Sequence, residues 1–277
     1  MKPPSTLDQH LTPQVLAWLQ AQVAHGRSSE SMVAGMLAAG WDTAAVAHAL
    51  QLGSEEMARL AVPALALPVS GDMVDAGDKW VTVKQLFHTP DVLLFSNLLS
   101  AGECDALIAE GRPRLSRSLT VDTQTGAEAL NAARTSEGMF FMRGENEVVQ
   151  RVEARIARVL GWPRENGEGL QVLRYGPGAE YKPHHDFFDP AEPGTPALLE
   201  RGGQRVATLI MYLNQPEKGG ATDFPDLGLR VEPRRGQAVF FNYALPGIAS
   251  RTLHGGEPVL AGEKWIATKW LRQREFN

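Results

Sequence analysis

Four short segments rich in β-branched and aromatic residues follow one another in the C-terminal part of the chain. Each is bounded by Gly, Pro, Asn or Asp, a pattern typical of β-strands. They are LQVLRY (170–175), RVATLIMYL (205–213), QAVFFNY (237–243) and KWIATKW (264–270). Because helix-patterned segments precede these strands, the order predicts a β-sandwich or jelly roll with helices packed outside.

Two helices are predicted just before the strand-rich part. Ser100 precedes AGECDALIAEG, and Gly111 is expected to end that helix. The segment ENEVVQRVEARIARVLG (145–161) repeats an apolar residue every three to four positions, with charged residues between them. This is the pattern of an amphipathic helix that packs one face on a core.

The first part of the chain differs from the rest. Residues 1–61 are rich in alanine and carry apolar residues at helical spacing, interrupted by Gly26, Gly40 and Gly53. They predict a small N-terminal helical bundle. Residues 62–78 contain two prolines and two glycines without clear periodicity and are interpreted as a linker. Residues 79–277 then form the main domain of an α+β, mainly β, protein.

Composition excludes several classes. The chain has 277 residues and a net charge of −5, so it has no general basic field for nucleic acid. Its only cysteine, Cys104, allows neither an internal disulfide nor a Cys-rich zinc module, and it fits a reducing compartment. The start has no apolar signal-peptide core, and no apolar run is long enough for a membrane span. We expect a cytoplasmic protein.

The stretch YKPHHDFF (181–188) contains a candidate metal site. On a strand, residues two apart share a face, so His184 and Asp186 are expected to point together and His185 away. Two histidines and one carboxylate form the facial triad of non-haem Fe(II) oxygenases. Of the other histidines, His254 lies just before a predicted strand of the main domain, and it is the natural third ligand.

Lys264 lies ten residues after His254, inside an otherwise apolar strand. A lysine in such a strand either extends to solvent or meets an anion. Tyr175, nine residues before His184, is placed to donate a second hydrogen bond to that anion.

Five ordered segments resemble the prolyl 4-hydroxylases, a family of Fe(II)/2-oxoglutarate-dependent dioxygenases. They are RTSEGMFF (134–141), LRYGPGAEYKPHHDFF (173–188), GGQRVATLIMYLNQPEKGGATDFP (202–225), GQAVFFN (236–242) and LHGGEPVLAGEKWIATKW (253–270). The resemblance covers the chain from about residue 80 to its end. It implies a double-stranded β-helix core and the cofactors Fe(II), 2-oxoglutarate and O2, with ascorbate as a reductant.

The resemblance also assigns roles to residues. It makes His184, Asp186 and His254 the iron ligands, and Lys264 and Tyr175 the partners of the distal carboxylate of 2-oxoglutarate. It further implies that Tyr181, Trp270 and Arg205 contact the substrate, and that residues 118–138 correspond to the mobile loop that closes over it.

The chain departs from the family in two places. Collagen-type members often continue KWLH where this chain has Trp270-Leu271-Arg272, and Gly255 stands where alanine often follows the distal histidine. These differences concern the substrate rather than the iron chemistry. The leading hypothesis is a dioxygenase that hydroxylates prolyl residues of a peptide or protein and releases succinate and CO2. One alternative is a hydroxylase of a free amino acid or small metabolite, and another is a non-catalytic jelly-roll binding module.

Overall fold

The structure is a computed structural model of the chain. It describes residues 12–27, 29–38, 41, 43–53, 67–68, 71–121, 128–130, 133–189, 192–243 and 250–277. Within these ranges no helix combines the length and the apolar character needed to cross a membrane.

The main domain is built around one large antiparallel sheet, which has nine strands among the described residues. In spatial order these are β1 (Met73–Asp75), β2 (Trp80–His88), β3 (Asp91–Ser96), β14 (Ala238–Asn242), β10 (Arg205–Tyr212), β17 (Lys264–Arg272), β8 (Leu170–Tyr175), β7 (Glu137–Phe141) and β4 (Ser116–Arg117). Each of the four strand segments predicted from composition contributes a strand to this sheet.

A second antiparallel sheet carries part of the metal site. Its order is β13 (Leu229–Val231), β12 (Thr222–Phe224), β15 (His254–Gly256) and β9 (Tyr181–His184). Two ribbons complete the described strands: β5 (Leu119–Val121) with β6 (Glu128–Leu130), and β11 (Lys218–Gly219) with β16 (Val259–Ala261). The prediction of a mainly β protein is confirmed, and the structure shows that its sheets are antiparallel.

Strand β17 shows how the large sheet separates two environments. Trp265, Ala267 and Leu271 belong to a core shared with the helices, whereas Ile266 belongs to the core shared with the second sheet. This follows from the period of two along a strand, in which successive side chains face opposite sides. The even-numbered residues of β17 therefore face the second sheet and the site described below.

Helices cover the other face of the large sheet. The helices on this face are α4 (Ala101–Gly111) and α5 (Glu147–Leu160). A further short helix, α6 (Thr195–Glu200), occurs later in the chain and is not part of this layer. The predicted helix α4 is confirmed, and Ser100, which precedes it, forms a capping box with Glu103. Glu103 and Asp78 both accept hydrogen bonds from the buried Arg155 of α5, so this ion-pair cluster ties α4 and α5 to the turn after β1.

Among the residues that the structure describes, three helices precede the main domain: α1 (Pro13–Ala24), α2 (Ser29–Ala38) and α3 (Thr43–Leu50). Their buried side chains form a cluster of their own, which contains Leu19, Met32, Val33, Met36 and Val46. Whether residues 1–61 form a separable domain stays a prediction.

The predicted linker, residues 62–78, needs a correction at its C-terminal end. Met73–Asp75 form β1 and pair with β2, and Ala76 is buried in the main core. The main sheet therefore begins before residue 79. This three-residue edge strand, between Gly71 and Gly77, is too short to show a periodic sequence pattern. It is a strand because it pairs with β2. Residues 62–66 and 69–70 lie outside the described part of the chain.

Candidate active site

His184, Asp186 and His254 come together at one end of the second sheet. His184 ends β9 and pairs directly with His254 of β15, and their ring centroids are 4.4 Å apart. The three side chains each offer a ligand atom within 4.8 Å of the others. Asp186 lies just beyond the end of β9, which is shorter than the predicted strand, yet its carboxylate still lies beside His184.

Both imidazoles are held in one tautomer. Nδ1 of His184 bonds to the Lys182 carbonyl oxygen at 2.9 Å, and Nδ1 of His254 bonds to the Thr252 carbonyl oxygen at 3.0 Å. A carbonyl oxygen only accepts, so Nδ1 donates in both rings and Nε2 keeps its lone pair. Nε2 of His184 lies 3.4 Å from Oδ1 of Asp186, and Nε2 of His254 lies 3.5 Å from Oδ2 of the same carboxylate.

The Asp186 carboxylate is buried and oriented by a neighbour. The hydroxyl of Thr208 donates to its Oδ2 at 2.7 Å. Burial by itself raises the pKa of Asp186, but its interactions with His254 and His184 and with the positive charge of Arg205 outweigh it and hold this pKa well below the ordinary value. Burial lowers the pKa of His254 to about 4. At neutral pH the cluster therefore offers a carboxylate and a neutral imidazole.

These residues fit a divalent iron ion. Two imidazole nitrogens and one carboxylate oxygen on one side are the donor set of non-haem Fe(II) sites, and three protein ligands leave coordination positions open. Carbonyl and hydroxyl groups that orient the ligands are expected around a built metal site. The contacts of His184, His254 and Thr208 have this form.

Lys264 lies in the same cavity as the three ligands. It is only 2% exposed, and the structure gives its ammonium group no hydrogen bond or ion pair to any described residue. Burial lowers its pKa to about 8, which Glu257 and Glu232 only partly oppose. Lys264 pairs across the sheet with Tyr175, which also lines the cavity, and its Nζ is 5.4 Å from the Tyr175 ring centroid.

Comparison with known proteins identifies the family. Residues 170–272 match the 2OG-Fe(II) oxygenase superfamily. Probable prolyl 4-hydroxylase 8 of Arabidopsis thaliana is 38% identical over 230 residues, which cover 75% of this chain and 77% of that protein. Prolyl 4-hydroxylase 1 of the same plant is 43% identical over 203 residues, covering 67% of this chain and 70% of that protein. The chain belongs to the prolyl 4-hydroxylase family.

Solved structures agree with this assignment. The collagen prolyl hydroxylase of Paramecium bursaria Chlorella virus-1, in its 2-oxoglutarate complex, is 33% identical with a TM-score of 0.52, covering 65% of this chain and 95% of that chain. A Trichoplax adhaerens prolyl hydroxylase with a bound hypoxia-inducible-factor peptide fragment shares the fold at a TM-score of 0.51 and 16% identity, covering 67% of this chain and 85% of that chain. These neighbours have the jelly-roll fold of 2-oxoglutarate oxygenases. The protein is therefore a dioxygenase that uses Fe(II), 2-oxoglutarate and O2.

The predicted substrate residues of this prolyl 4-hydroxylase homologue surround the metal ligands. The Tyr181 ring stacks on His184 with centroids 3.6 Å apart. Trp270 lines both the metal cavity and a larger adjoining cavity of about 590 Å³. Arg205 lines the larger cavity, but each of its three nitrogen atoms donates to this chain: Nε and Nη2 to Glu168 and Nη1 to the Asp186 carbonyl oxygen. Substrate contact by these residues stays a prediction.

His185 takes no part in the metal cluster, as the sequence predicts. Its ring lies against Phe187, with centroids 4.7 Å apart. It does not face the opposite side of a strand, however, because β9 has ended at His184. Instead it lines the larger cavity.

Sequence reasoning missed three residues of this site. Arg134 is buried, lies 4.9 Å above the Tyr181 ring and lines both cavities. Thr208 orients Asp186, and Glu168 accepts from Arg205. Arg134 and Thr208 stood within segments that resemble the family, and the period of two along β10 places Thr208 inward. Glu168 had no local signal, since its partner is 37 residues away.

Proposed function

We propose that the protein hydroxylates prolyl residues of a peptide or protein and converts 2-oxoglutarate to succinate and CO2. The observation that carries this proposal is the His184, Asp186 and His254 cluster, which opens into a cavity of about 590 Å³ with aromatic side chains in its wall. Its relatives are named prolyl 4-hydroxylases, and one structural neighbour holds a peptide fragment.

The ligands would hold Fe(II) through Nε2 of His184, Nε2 of His254 and the Asp186 carboxylate. Bound Fe(II) supplies the O2-dependent oxidation that couples decarboxylation of 2-oxoglutarate to hydroxylation of a C–H bond. Thr208 and the two carbonyl oxygens that accept from the histidines keep these ligands in place. The contribution of the protein to the reaction is this placement, because a misplaced reactive group loses rate steeply.

Lys264 is proposed to bind the distal carboxylate of 2-oxoglutarate, with Tyr175 as a second donor. A buried ammonium without a partner is unfavourable, and a bound carboxylate removes that cost by forming a charge-assisted hydrogen bond. Lys264 is buried, lacks a described partner and lines the same cavity as the metal ligands. Burial also raises the pKa of Tyr175, so its hydroxyl stays protonated and remains a donor.

The substrate is proposed to lie in the larger cavity with its proline near Tyr181 and Trp270. The wall also contains Phe140, whose ring is 6.4 Å from that of Trp270. Leu119 and Thr120 of the β5–β6 ribbon line the same cavity. This ribbon belongs to the segment predicted to close over the substrate. Residues 122–127 and 131–132 of that segment lie outside the described residues.

The contacts of Arg205 weigh against this residue as the partner of a free amino acid's carboxylate. Such a substrate needs one partner for its α-carboxylate and another for its α-amine. Arg205 was the candidate for the first, but Glu168 and the Asp186 carbonyl oxygen already accept from all three of its nitrogen atoms.

The test uses purified protein with Fe(II), 2-oxoglutarate and prolyl peptides whose two ends are blocked. Mass spectrometry should detect one added oxygen atom on proline, with succinate formed in equal amount. The His184→Ala variant serves as the control for the metal centre. Hydroxylation of free proline or another free amino acid, without turnover of any blocked peptide, would reject the peptidyl substrate and leave the iron chemistry in place.

A further inference from the structure

The larger cavity contains hydrogen-bonding groups that the protein itself does not use. In the part of the chain that the structure describes, three buried side-chain nitrogens have no partner: His185 Nδ1, Trp270 Nε1 and Arg272 Nε. All three residues line this one cavity. Buried polar groups in folded proteins nearly always have a partner, so an unpartnered set around one cavity indicates a ligand with acceptor atoms.

Two of the arginines at this cavity share one buried carboxylate. The Glu168 carboxylate accepts from Arg205 through Nε at 2.6 Å and Nη2 at 2.9 Å, and from Arg272 through Nη1 at 3.0 Å. One buried carboxylate therefore faces two buried guanidinium groups. Arg272 shares this carboxylate with Arg205, so a second carboxylate would strengthen the ion pairing of Arg272.

The Arg272 guanidinium is held in place by several contacts, but its Nε has no hydrogen-bond partner among the described residues. Its Nη2 donates to the carbonyl oxygens of Leu198 and Arg201, and its guanidinium lies 5.0 Å from the Phe188 ring and 5.2 Å from the Phe276 ring. Burial lowers its pKa to about 10, and the positive charge of Arg205 adds to this effect while Glu168 opposes it. The group is thus fixed in position, and its ion-pair partner among the described residues is a carboxylate that it shares with Arg205.

The place of Arg272 in β17 puts it on the substrate side. Lys264, Trp270 and Arg272 are even-numbered residues of one strand, so their side chains share a face, and positions two apart are roughly 7 Å apart. Trp270 lines both cavities, and Arg272 lines only the outer one. Arg272 therefore lies one step further from the metal than the tryptophan.

We propose that Arg272 binds a carboxylate of the substrate, so that this enzyme selects prolyl substrates with a negative charge near the proline. The inference rests on the proposed function, whose substrate it narrows. The carboxylate belongs to an aspartate or glutamate beside the proline, or to the end of the substrate. Arg205 acts with it as a positioning residue, because its guanidinium holds Glu168. The other charged side chains of the cavity wall include Arg134, Arg201, Asp186, Asp189 and Glu192. We therefore expect a preference for one acidic group near the proline and not for a uniformly acidic peptide.

The experiment compares substrates that differ only by carboxylate or amide. One pair is a blocked peptide with Pro-Glu or Pro-Gln, a second has the acidic residue before the proline, a third ends in a free or amidated carboxyl group, and a fourth is free proline or prolinamide. Binding is measured anaerobically to the enzyme with Fe(II) and 2-oxoglutarate, and hydroxylation is measured separately in air. At least one carboxylate probe should bind roughly 10- to 100-fold more tightly than its amide, as expected for a charge-assisted hydrogen bond.

Variants assign the effect to Arg272. Arg272→His and Arg272→Gln both remove the guanidinium and should reduce the acid-to-amide preference to nearly one. Arg230→Gln, which removes an exposed arginine outside this cavity, should leave it unchanged. If Arg272→Gln does not fold, the acid-to-amide preferences of Arg272→His and of the wild-type enzyme still test the role of Arg272.

The outcomes separate this inference from the proposed function. Equal binding of acid and amide in every pair, or no binding of any probe, would overturn the role of Arg272. Tight binding of an acidic blocked peptide without hydroxylation would support the carboxylate site and reject prolyl hydroxylation. Discrimination confined to free proline would support the site and reject the peptidyl substrate.

Discussion

Lys264 and Tyr175 are paired positions on neighbouring antiparallel strands, with Lys264 at the start of β17 and Tyr175 at the end of β8. Directly opposed residues share a face, so both can reach one ligand. Lys264→Ala should raise the Michaelis constant for 2-oxoglutarate roughly 10- to 100-fold, because a buried carboxylate loses its charged donor. Steady-state kinetics with varied 2-oxoglutarate measures this change.

Two controls accompany that variant. Lys218→Ala removes an exposed lysine of β11 and should leave the 2-oxoglutarate dependence unchanged. Tyr175→Phe should weaken the cosubstrate less than Lys264→Ala, and the double variant should lose less than the sum of the two, since both donors meet one carboxylate. An unaltered Michaelis constant in Lys264→Ala would remove this lysine from the cosubstrate site.

The lowered pKa of Lys264 predicts a pH dependence. Only the protonated ammonium donates to a carboxylate with full charge, and burial lowers its pKa to about 8 in the free protein. The dissociation constant of 2-oxoglutarate should therefore be flat below about pH 8 and rise above it, by up to about tenfold per unit. Lys264→Ala should show no such rise. A wild-type constant that stays flat well above pH 8 contradicts the prediction.

The stability of the protein without 2-oxoglutarate should change with pH in the opposite direction to its affinity for 2-oxoglutarate. The pKa of Lys264 is lower in the folded protein than the ordinary 10.5, so the folded state binds fewer protons than the unfolded chain between about pH 8 and 10.5. The contribution of Lys264 to the free energy of unfolding should increase with pH across that interval. Denaturant titrations of wild type and Lys264→Ala, compared at each pH, isolate this contribution.

The three metal ligands can be distinguished from their neighbour. His184→Ala and His254→Ala should abolish turnover and Fe(II) binding in anaerobic dialysis, because each removes an imidazole Nε2 of the cluster. His185→Ala should retain Fe(II), since His185 lies outside the cluster. Loss of iron in His185→Ala with retention in His184→Ala would show that the assignment is off by one residue.

Thr208 should affect the metal through Asp186. Thr208→Val keeps the shape of the side chain and removes the hydroxyl that donates to Oδ2 at 2.7 Å. Loss of such an orienting contact typically weakens metal binding about 10- to 100-fold. Thr222→Val is the matched control, because this buried hydroxyl bonds to Tyr212 and not to a ligand. Equal losses of Fe(II) affinity in both variants would indicate a general packing effect.

The N-terminal helices are predicted to be separable from the dioxygenase domain. Every proposed ligand lies beyond residue 130, and the described sheet begins at β1, so a chain starting at residue 71 keeps all of its strands. It should fold and couple 2-oxoglutarate decarboxylation to iron. Circular dichroism and succinate formation test this, and a chain that fails to fold would show that the first helices complete the core.

The sheets could be predicted from sequence where a strand is long enough to have a pattern. β8, β10, β14 and β17 each have at least five residues and strong strand composition. β1, β4 and β11 have three residues or fewer, so their partner strands define them and no local pattern does. β9 ends at His184 because the chain then turns toward Gln204, whose side chain accepts from the Phe188 amide.

The functional site also contains residues that the sequence could predict and residues that it could not. His184, Asp186 and His254 could be predicted because the first two are two positions apart on a strand-like segment and the third occurs in a recognisable segment. The cluster of Glu168, Arg205 and Arg272 could not, since its ion pairs join residues 37 and 104 positions apart. Only the closed fold brings these charges together, and each of them alone resembles an ordinary charged residue.

The alternation along β17 sets different limits on its two faces. Trp265, Ala267 and Leu271 pack on the helices, and Lys269 forms a buried ion pair with Glu153 at 2.6 Å. Substitutions intended to change the accepted substrate can therefore be confined to the opposite face, at Thr268, Trp270 and Arg272. Insertion or deletion of one residue within this strand is a different matter, because it would exchange the two faces. A mutagenesis library for new substrates should thus vary alternate positions and keep the strand length fixed.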